Sequence, residues 1–253
     1  SQSVSVEDYP AEWKYLGGRA LSAKIMLADC DPTCDALGPE NVLVMAPGTL
    51  SGTSAPTSGR ISMGCKSPLT GGIKEANAGG DPGQDLMKLG IRAIVVSGQP
   101  TDREKRWGLK VSANEVVLVT ADDYKGMWNY AVCERLLSDQ PKSASVISIG
   151  PAGEMMLKGA SVACTDADKA RRPARQAARG GVGAVMGSKK IKAIVVDKDK
   201  MPTFHDRKKL MGSVRDYNKM LSGDAAIEAF AKLGTAMVGD FTNNIGGIPT
   251  RNF

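Results

Sequence analysis

The strongest constraint in this sequence is an internal duplication with a spacing of about one hundred residues. Segment 77–83 reads NAGGDPG and is followed by RAIVV at 92–96, while segment 178–183 reads ARGGVG and is followed by KAIVV at 192–196. In both copies a Gly-Gly turn precedes a short, partly apolar segment and then a Val/Ile run that is typical of a buried strand. The sequence therefore predicts two copies of one structural unit.

The similarity extends upstream of each glycine turn. Residues 59–65 correspond to 159–164, and the strand-like run 42–47 corresponds to 146–151. Two such units related by pseudo-symmetry would place two glycine turns on one surface, where exposed backbone N–H groups can bind two similar anionic groups. We therefore expect a ligand that binds twice, or a ligand with two halves.

The composition is that of a globular protein of at most two domains. Of the 253 residues 42% are hydrophobic and 24% are charged, and the net charge of +6 is too small to require nucleic acid. No apolar stretch approaches the roughly 18 residues of a membrane span. The five cysteines are scattered, which is typical of reduced thiols, so we expect a cytoplasmic protein without a membrane span.

Hydrophobic periodicity assigns the segments outside the repeats. The expected elements are an edge strand in residues 1–9, a helix over 11–26, strands within 107–120, a helix from Asp122 or Asp123 to about Ser138, and helices over 206–221 and 224–233. Asp224 is placed to cap the last helix and Gly234 to end it.

These elements predict an α+β fold. It consists of two pseudo-symmetric β-sheet repeats with flanking helices, followed by the start of an α-helical domain. We expect a first domain at residues 1–199, with repeats at about 41–99 and 144–197, and an incomplete helical domain at 200–253.

Two segments are suited to bind a phosphorylated ligand. The first spans residues 47–80, where small hydroxyl residues, glycines and the cations Arg60 and Lys66 would let a polar ligand approach the backbone. The second, 175–183, adds guanidinium groups that suit bidentate phosphate contacts. A loop region without a ligand would have the same composition as the first segment, so both interpretations stay open.

Three further patterns lack support from their surroundings. Segment 181–187, GVGAVMG, is similar to a dinucleotide fingerprint, but basic and polar residues precede it where a strand is needed. Cys30 and Cys34 have no second pair or nearby histidine to complete a four-ligand metal site. His205 is the only histidine, which leaves little basis for Ser-His-Asp or Cys-His catalysis.

Seven motifs follow one another along almost the whole chain. They are YLGGRAL at 15–21, LGPEN at 37–41, GTSAPTSGR at 52–60, KSPLTG at 66–71, NAGG at 77–80, IGPAGE at 149–154 and RGGVGAVMGSK at 179–189. In order and spacing they resemble the N-terminal, tungstopterin-binding domain of the tungsten-containing aldehyde ferredoxin oxidoreductase family. The last motif is the most specific.

The resemblance implies a platform on which a bis-molybdopterin cofactor with tungsten, or with molybdenum, lies. The backbone carbonyls of Asn77 and Gln176 would face a Mg²⁺ ion that joins the pterin phosphates, and oxygen ligands suit this ion. Carried over by motif, the cofactor-binding residues would be Arg60, Asn77, Ala78, Gly79, Gly80, Arg175, Gln176, Ala178, Arg179 and Gly180.

The implied activity is the two-electron oxidation of an aldehyde to a carboxylic acid, or the reverse, in anaerobic metabolism. The family's [4Fe-4S] cysteines and acid/base residues lie beyond Phe253, so no catalytic residue is assigned here and this chain alone is expected to be inactive. The expected partners are the remaining part of the enzyme, a ferredoxin-like electron acceptor and further copies in a homo-oligomer.

Parts of the sequence are compatible with two other functions. Asp81 and Pro82 stand where the family commonly has aromatic residues, which would make one wall of the site more acidic and favours a cofactor-free platform for assembly or protein interaction. The basic run 169–179 could bind nucleic acid, but few aromatic residues lie nearby to stack on bases. We therefore expect no nucleic-acid partner.

Overall fold

The chain forms two compact units, residues 1–203 and residues 204–253. The computed structural model describes residues 2–138, 140, 143–166 and 170–249. No helix in these ranges is both long and apolar enough to cross a membrane.

The smaller of two β-sheets in the first unit is formed by the first repeat. Its strands lie in the order β3-β2-β1-β4, and every neighbouring pair is antiparallel. β1 is buried along its whole length, as its apolar run predicts. The strands are β1 (Leu43–Pro47), β2 (Ile61–Lys66), β3 (Ile73–Ala78) and β4 (Ile94–Val96).

The second sheet repeats this arrangement and extends it. Its strands are β5 (Trp107–Val111), β6 (Val116–Thr120), β7 (Ala144–Ser148), β8 (Val162–Cys164), β9 (Arg175–Ala177) and β10 (Ile191–Asp197). The antiparallel order β9-β8-β7-β10 matches β3-β2-β1-β4 strand for strand. The hairpin β5–β6 joins the other side of β10, to which β5 is parallel. The predicted α+β fold with two pseudo-symmetric sheet repeats is confirmed.

Helices occupy equivalent places in the two repeats. The helices of this unit are α1 (Gly18–Asp29), α2 (Pro82–Lys88), α3 (Asn129–Ser138), α4 (Pro151–Glu154) and α5 (Val182–Ser188). Both α2 and α5 have seven residues, and each follows the glycine turn and precedes the last strand of its repeat.

One hydrophobic core joins the two repeats. Met45 of β1, Ile147 of β7 and Ile194 of β10 meet Leu86 of α2 and Met186 of α5 in a single buried cluster. Burial of each such side chain contributes about 1.5–3 kcal/mol. The repeats therefore stabilise one another as parts of one packed unit.

The residue before the Ala-Ile-Val-Val run anchors a neighbouring segment in the first repeat. Arg92 donates from Nη2 to the carbonyl oxygens of Trp13, Lys14 and Leu16 at 3.3, 3.1 and 2.5 Å. These carbonyls belong to the segment that leads into α1, so one guanidinium group fixes the start of that helix against the sheet.

Lys192 is the corresponding residue of the second repeat, and it is completely buried. Its ammonium group pairs with the carboxylate of Glu154 and donates to the carbonyl oxygen of Met127 at 2.8 Å. Arg106 pairs with the same carboxylate at 3.3 Å. Burial lowers the pKa of Lys192, while the bond to Glu154 raises it in part. Removal of Glu154 would leave the buried charge of Lys192 without an ionic partner, which is strongly destabilising.

Two expected elements near the N-terminus differ in the structure. Residues 2–10 form no strand, because neither sheet offers them a partner, and Val6 is exposed. The helix expected over 11–26 is a short 3-10 helix at Ala11–Trp13 and then α1. The extended backbone of Gly17 separates the two.

The helix expected after Asp122 is also divided. A 3-10 helix at Asp122–Tyr124 is followed by α3, which begins only at Asn129. Gly126 lies between them with a φ of +75°, and a right-handed helix cannot continue through this left-handed backbone.

The second unit, taken by itself, is helical. Its helices are α6 (Arg207–Ser222), α7 (Ala225–Leu233), a 3-10 helix at Gly234–Val238 and α8 (Gly239–Asn244). Asp206 caps α6, and Asp224 caps α7 by accepting the N–H groups of Ala226 and Ile227 at 2.9 Å. Gly234 ends α7 with a φ of +61°. The two helices expected here are confirmed.

A Gly187→Ala substitution tests the packing of α5. A Cβ at this position would lie 2.7 Å from the carbonyl carbon of Gly153 and still closer to its oxygen. We expect an overpacking cost of about 1–3 kcal/mol, measured as a lower urea midpoint by circular dichroism. Gly159→Ala is the matched control, because nothing lies within 4 Å of its Cβ position. Equal midpoints for the two variants would contradict the packing described.

Candidate functional site

The glycine turn of the first repeat lies against the second repeat. Gly80 has a φ of +93°, and a Cβ there would overlap the carbonyl oxygen of Thr165 and lie 3.4 Å from Cγ of Arg175. The next residue, Asp81, donates its N–H to the same Thr165 oxygen at 2.9 Å. Only glycine fits here, because the backbone angle and the close approach both exclude a side chain.

The glycine turn of the second repeat packs on the first repeat in a reciprocal way. Gly180 has a φ of +70°, and a Cβ there would overlap Cγ of Lys74 on β3. Its carbonyl oxygen accepts a hydrogen bond from the buried Ser67 Oγ at 2.8 Å. A Cβ on Gly181 would lie 2.8 Å from Cγ of Pro68. Contacts between the repeats therefore hold both turns where the two sheets meet.

A cavity of about 730 Å³ opens at this junction. The volume is in the range of sites that hold cofactor-sized ligands. Residues of α1, β2, β3 and β9, with those near the second glycine turn, form its wall: Arg19, Ser22, Ala23, Arg60, Gly64, Ile73, Lys74, Glu75, Asn77, Gln176, Ala178 and Arg179.

Four of these side chains are cationic, and three of the four have no acidic partner. Arg60 donates to Oδ1 of Asn77 at 3.3 Å, which is a neutral acceptor. Among the residues that the structure describes, the side chains of Lys74 and Arg179 have no hydrogen-bond or ion-pair partner.

Glu75 is the acidic residue of the wall, and its charge is already compensated. One carboxylate oxygen accepts from Nε of Arg19 at 2.8 Å and lies 2.6 Å from Nη2. The other oxygen accepts from Oγ of Ser62 at 2.7 Å. Because Glu75 neutralises Arg19, the cavity keeps an excess of positive charge, which favours an anionic ligand.

The structure brings half of the predicted cofactor residues to this wall. They are Arg60, Asn77, Gln176, Ala178 and Arg179. The first two belong to the first repeat and the other three to the second. A ligand with two halves would need residues from both repeats in this way.

The other predicted residues are not among those that line the cavity. Ala78 is buried in the core, so its side chain is not available to a ligand. Gly79, Gly80 and Gly180 form the turns described above. Arg175 pairs through Nε with Asp166 at 2.7 Å, and its stem packs against the first glycine turn.

Three charged residues of the wall, Arg19, Lys74 and Glu75, are not among the cofactor residues that the sequence predicts. The alternation of a strand places Glu75 on the same face of β3 as Asn77, and this signal could have identified Glu75. Arg19 stands inside the YLGGRAL motif, but its place at the cavity depends on how α1 packs on the sheet.

The loop before Arg60 is held together largely by its own groups. Ser51 Oγ donates to the carbonyl oxygen of Ser58 at 2.7 Å, and the N–H of Gly48 donates to that of Arg60 at 3.0 Å. The N–H of Gly52 donates to Oε1 of Gln84 on α2. Turn formation therefore accounts for much of the hydroxyl-rich composition.

Asp81 and Pro82 begin α2, and neither lines the cavity. Pro82 occupies the first helical turn, where proline is favoured. Burial, and next the nearby charge of Asp85, raise the pKa of Asp81. Because Asp81 is outside the wall, the cofactor-free platform loses the observation that favoured it.

The segment GVGAVMG serves helix packing. Gly183 and Gly187 lie one turn apart on α5, against the backbones of Ala160 and Gly153. The following strand, β10, is antiparallel to β7, whereas a dinucleotide fingerprint needs a parallel β-α-β unit.

The cysteines form no metal cluster in the described part of the chain. The Sγ atoms of Cys30 and Cys34 are 3.8 Å apart, but no third His, Cys, Asp or Glu joins them there. Burial raises the pKa of Cys65 and Cys164 to about 12 and that of Cys133 to about 11. His205 is exposed.

The sequence of this chain matches a known protein family. The family profile described as "Aldehyde ferredoxin oxidoreductase, N-terminal domain" matches residues 1–198. A tungsten-containing aldehyde ferredoxin oxidoreductase of Thermococcus kodakarensis is 41% identical over 257 residues, which cover 99% of this chain and 40% of that protein. The chain belongs to the aldehyde ferredoxin oxidoreductase family. The enzyme of the same name from Pyrococcus furiosus is 39% identical, with the same coverage.

More distant members of this group carry other names. The "Aliphatic sulfonate oxidoreductase, WOR-like subunit" of Pyrococcus furiosus is 26% identical over 89% of this chain and 36% of that protein. A solved structure, the "Active site complex BamBC of Benzoyl Coenzyme A reductase in complex with 1,5 Dienoyl-CoA", has a TM-score of 0.78 and 28% identity, and covers 86% of this chain and 32% of that chain. This chain spans about 40% of the length of the aldehyde oxidoreductases it matches.

The Cys30 and Cys34 thiols should be dispensable for metal binding. We expect the double variant Cys30→Ser/Cys34→Ser of the full-length protein to keep its tungsten, molybdenum and iron contents, because two thiols without further ligands cannot complete a four-coordinate site. Elemental mass spectrometry measures all three. Loss of iron in the double variant would show that the pair is a ligand after all.

Proposed function

We propose that the cavity binds a bis-molybdopterin cofactor that carries tungsten, or molybdenum, with one glycine turn serving each pterin half. Residues of both repeats, next to the two glycine turns, meet in one positively charged cavity, and this observation carries the proposal. A ligand with two similar anionic halves suits both the pseudo-symmetry and the charge. The word tungsten in the names of the 41% and 39% identical relatives supports the choice of metal.

Each predicted residue then has a role that its chemistry permits. Arg60 and Arg179, on the cavity wall, would make charge-assisted hydrogen bonds to the phosphates. Arg175 would contribute from the rim of the first turn. The glycines of both turns, with Ala78 and Ala178, would offer backbone groups, since no side chain separates the glycine backbone from a ligand.

We assign Mg²⁺ to the backbone carbonyls of Asn77 and Gln176. Their side chains are already engaged, because Asn77 Oδ1 accepts from Arg60, Gln176 Oε1 accepts from Ser161 at 2.8 Å and Gln176 Nε2 donates to Pro173 at 2.9 Å. Main-chain oxygens and phosphates together form the hard ligand set that Mg²⁺ prefers.

The proposed activity belongs to the complete protein. The bound cofactor would supply a metal that exchanges two electrons, which permits oxidation of an aldehyde to a carboxylic acid or the reverse. Residues 1–199 of this chain would bind and orient that cofactor, with 200–253 beginning a helical domain. The remaining part of the enzyme would hold a [4Fe-4S] cluster and pass electrons to a ferredoxin-like acceptor in the cytoplasm, with the protein assembled as a homo-oligomer.

The first test is the metal content of the full-length protein from cells grown with both tungstate and molybdate. We expect close to one tungsten or molybdenum per chain, co-eluting with pterin, because the cavity is suited to a single two-halved cofactor. Elemental mass spectrometry across the elution peak gives the ratio and names the element. A clean absence of both metals and of pterin would refute the proposed function.

Arg60→Ala and Arg179→Ala should each lower pterin retention in the full-length protein. Each removes a charge-assisted hydrogen bond of roughly 1.5–3 kcal/mol. Pterin per chain is measured after gel filtration, with Arg103→Ala as the control, because Arg103 is exposed and outside the cavity wall. Wild-type pterin content in both cavity variants would refute the assignment of these residues.

A further inference from the structure

The two repeats place a cation at the same position relative to their glycine turns. Lys74 and Arg175 each lie six residues before the second glycine of the following Gly-Gly pair. The sheet register agrees, because Lys74 on β3 pairs with Cys65 on β2, and Arg175 on β9 pairs with Cys164 on β8. Lys74 is therefore the first-repeat counterpart of Arg175.

Each of these cations reaches across to the other repeat. The stem of Arg175 packs on Gly80 of the first turn, and the stem of Lys74 packs on Gly180 of the second. A Cβ at Gly180 would overlap the stem of Lys74, whereas a Cβ at Gly80 would overlap the carbonyl oxygen of Thr165 and lie in van der Waals contact with the stem of Arg175. The absence of a side chain therefore leaves room for each stem beside the opposite turn.

The two cations differ in whether their charged group is already paired within the protein. Arg175 is bound through Nε to the carboxylate of Asp166 at 2.7 Å and does not line the cavity. Lys74 lines the cavity and has no acidic partner among the residues that the structure describes. Of the two equivalent cations, Lys74 of the first repeat is therefore the one that keeps an uncompensated charge at the cavity.

We propose that Lys74 is a further ligand-binding residue of the cavity, whose ammonium group binds a phosphate ester beside the Gly180 turn. The inference rests on the proposed function, since it adds a contact to the same pterin-binding site. Of the two equivalent cations, Lys74 and Arg175, it assigns the main charged contact with the ligand to Lys74. A lysine acts as a point charge and tolerates several phosphate orientations, so its own position need only be approximate.

The test compares Lys74→Met with Lys74→Arg in the full-length protein. Methionine keeps most of the stem that packs on Gly180 and removes the charge, while arginine keeps the charge. Lys24→Met is the matched control, because Lys24 is an exposed lysine of α1 outside the cavity wall. Two quantities are measured: pterin and metal per chain, and the affinity of cofactor-depleted protein for inorganic pyrophosphate by calorimetry.

We expect Lys74→Met to lose pterin and to bind pyrophosphate about tenfold more weakly, as loss of one charge-assisted contact predicts. Lys74→Arg should bind within about threefold of wild type, and Lys24→Met should not change. Wild-type pterin content and wild-type pyrophosphate affinity in Lys74→Met would overturn the inference. Equal losses in Lys74→Met and Lys74→Arg would also overturn it, because they would indicate a packing role alone.

The same measurements separate this inference from the proposed function. Wild-type protein without pterin or metal, but with pyrophosphate binding that depends on Lys74, would refute the cofactor and support the anion contact. Wild-type protein with a full cofactor load and an unaffected Lys74→Met variant would refute only the role of Lys74. If Lys74→Met has a lowered melting temperature, Lys74→Gln replaces it with a polar, uncharged stem.

Discussion

The structure depends above all on the reciprocal packing of two glycine turns. Gly80 lies against the carbonyl of Thr165 in the second repeat, and Gly180 lies against the stem of Lys74 and the hydroxyl of Ser67 in the first. A side chain at Gly80 would clash with the backbone of Thr165, and one at Gly180 would displace the stem of Lys74. Because each repeat completes the turn of the other, the two turns cannot separate, and a single cavity forms at their junction.

This junction concentrates charge at a cost in stability. Arg60, Lys74 and Arg179 share one wall without acidic partners among the described residues, and like charges that share a partly enclosed site repel one another. The pair of Glu75 with Arg19 offsets part of this repulsion. A polyanionic ligand would attract these cations and so outweigh their mutual repulsion. The same unpaired charges that repel one another would therefore bind the ligand.

Sequence alone was sufficient where a local pattern determines structure. The repeats, the strands within 107–120 and the cap at Asp224 follow from spacing and residue type, and the structure has them. The break at Gly17 and the unpaired residues 2–10 depend on tertiary partners, so periodicity misjudged them. The place of Lys74 in the site also depends on a tertiary contact, because its stem packs on a glycine turn more than a hundred residues away.

Many polar groups near the cavity are already hydrogen-bonded within the protein, which limits how the site can recognise a ligand. The hydroxyl-rich loop that contains Ser51 uses its polar groups on itself, and the side chains of Asn77 and Gln176 are engaged with neighbours. What remains for a ligand is main-chain polarity and a few cations, and both recognise phosphate without reading the shape of a substrate. A platform of this kind is compatible with different reactions, because its contacts would be made to the anionic ends of the proposed cofactor. The named differences among its relatives, from aldehyde to aliphatic sulfonate oxidoreductase, are what such a platform permits.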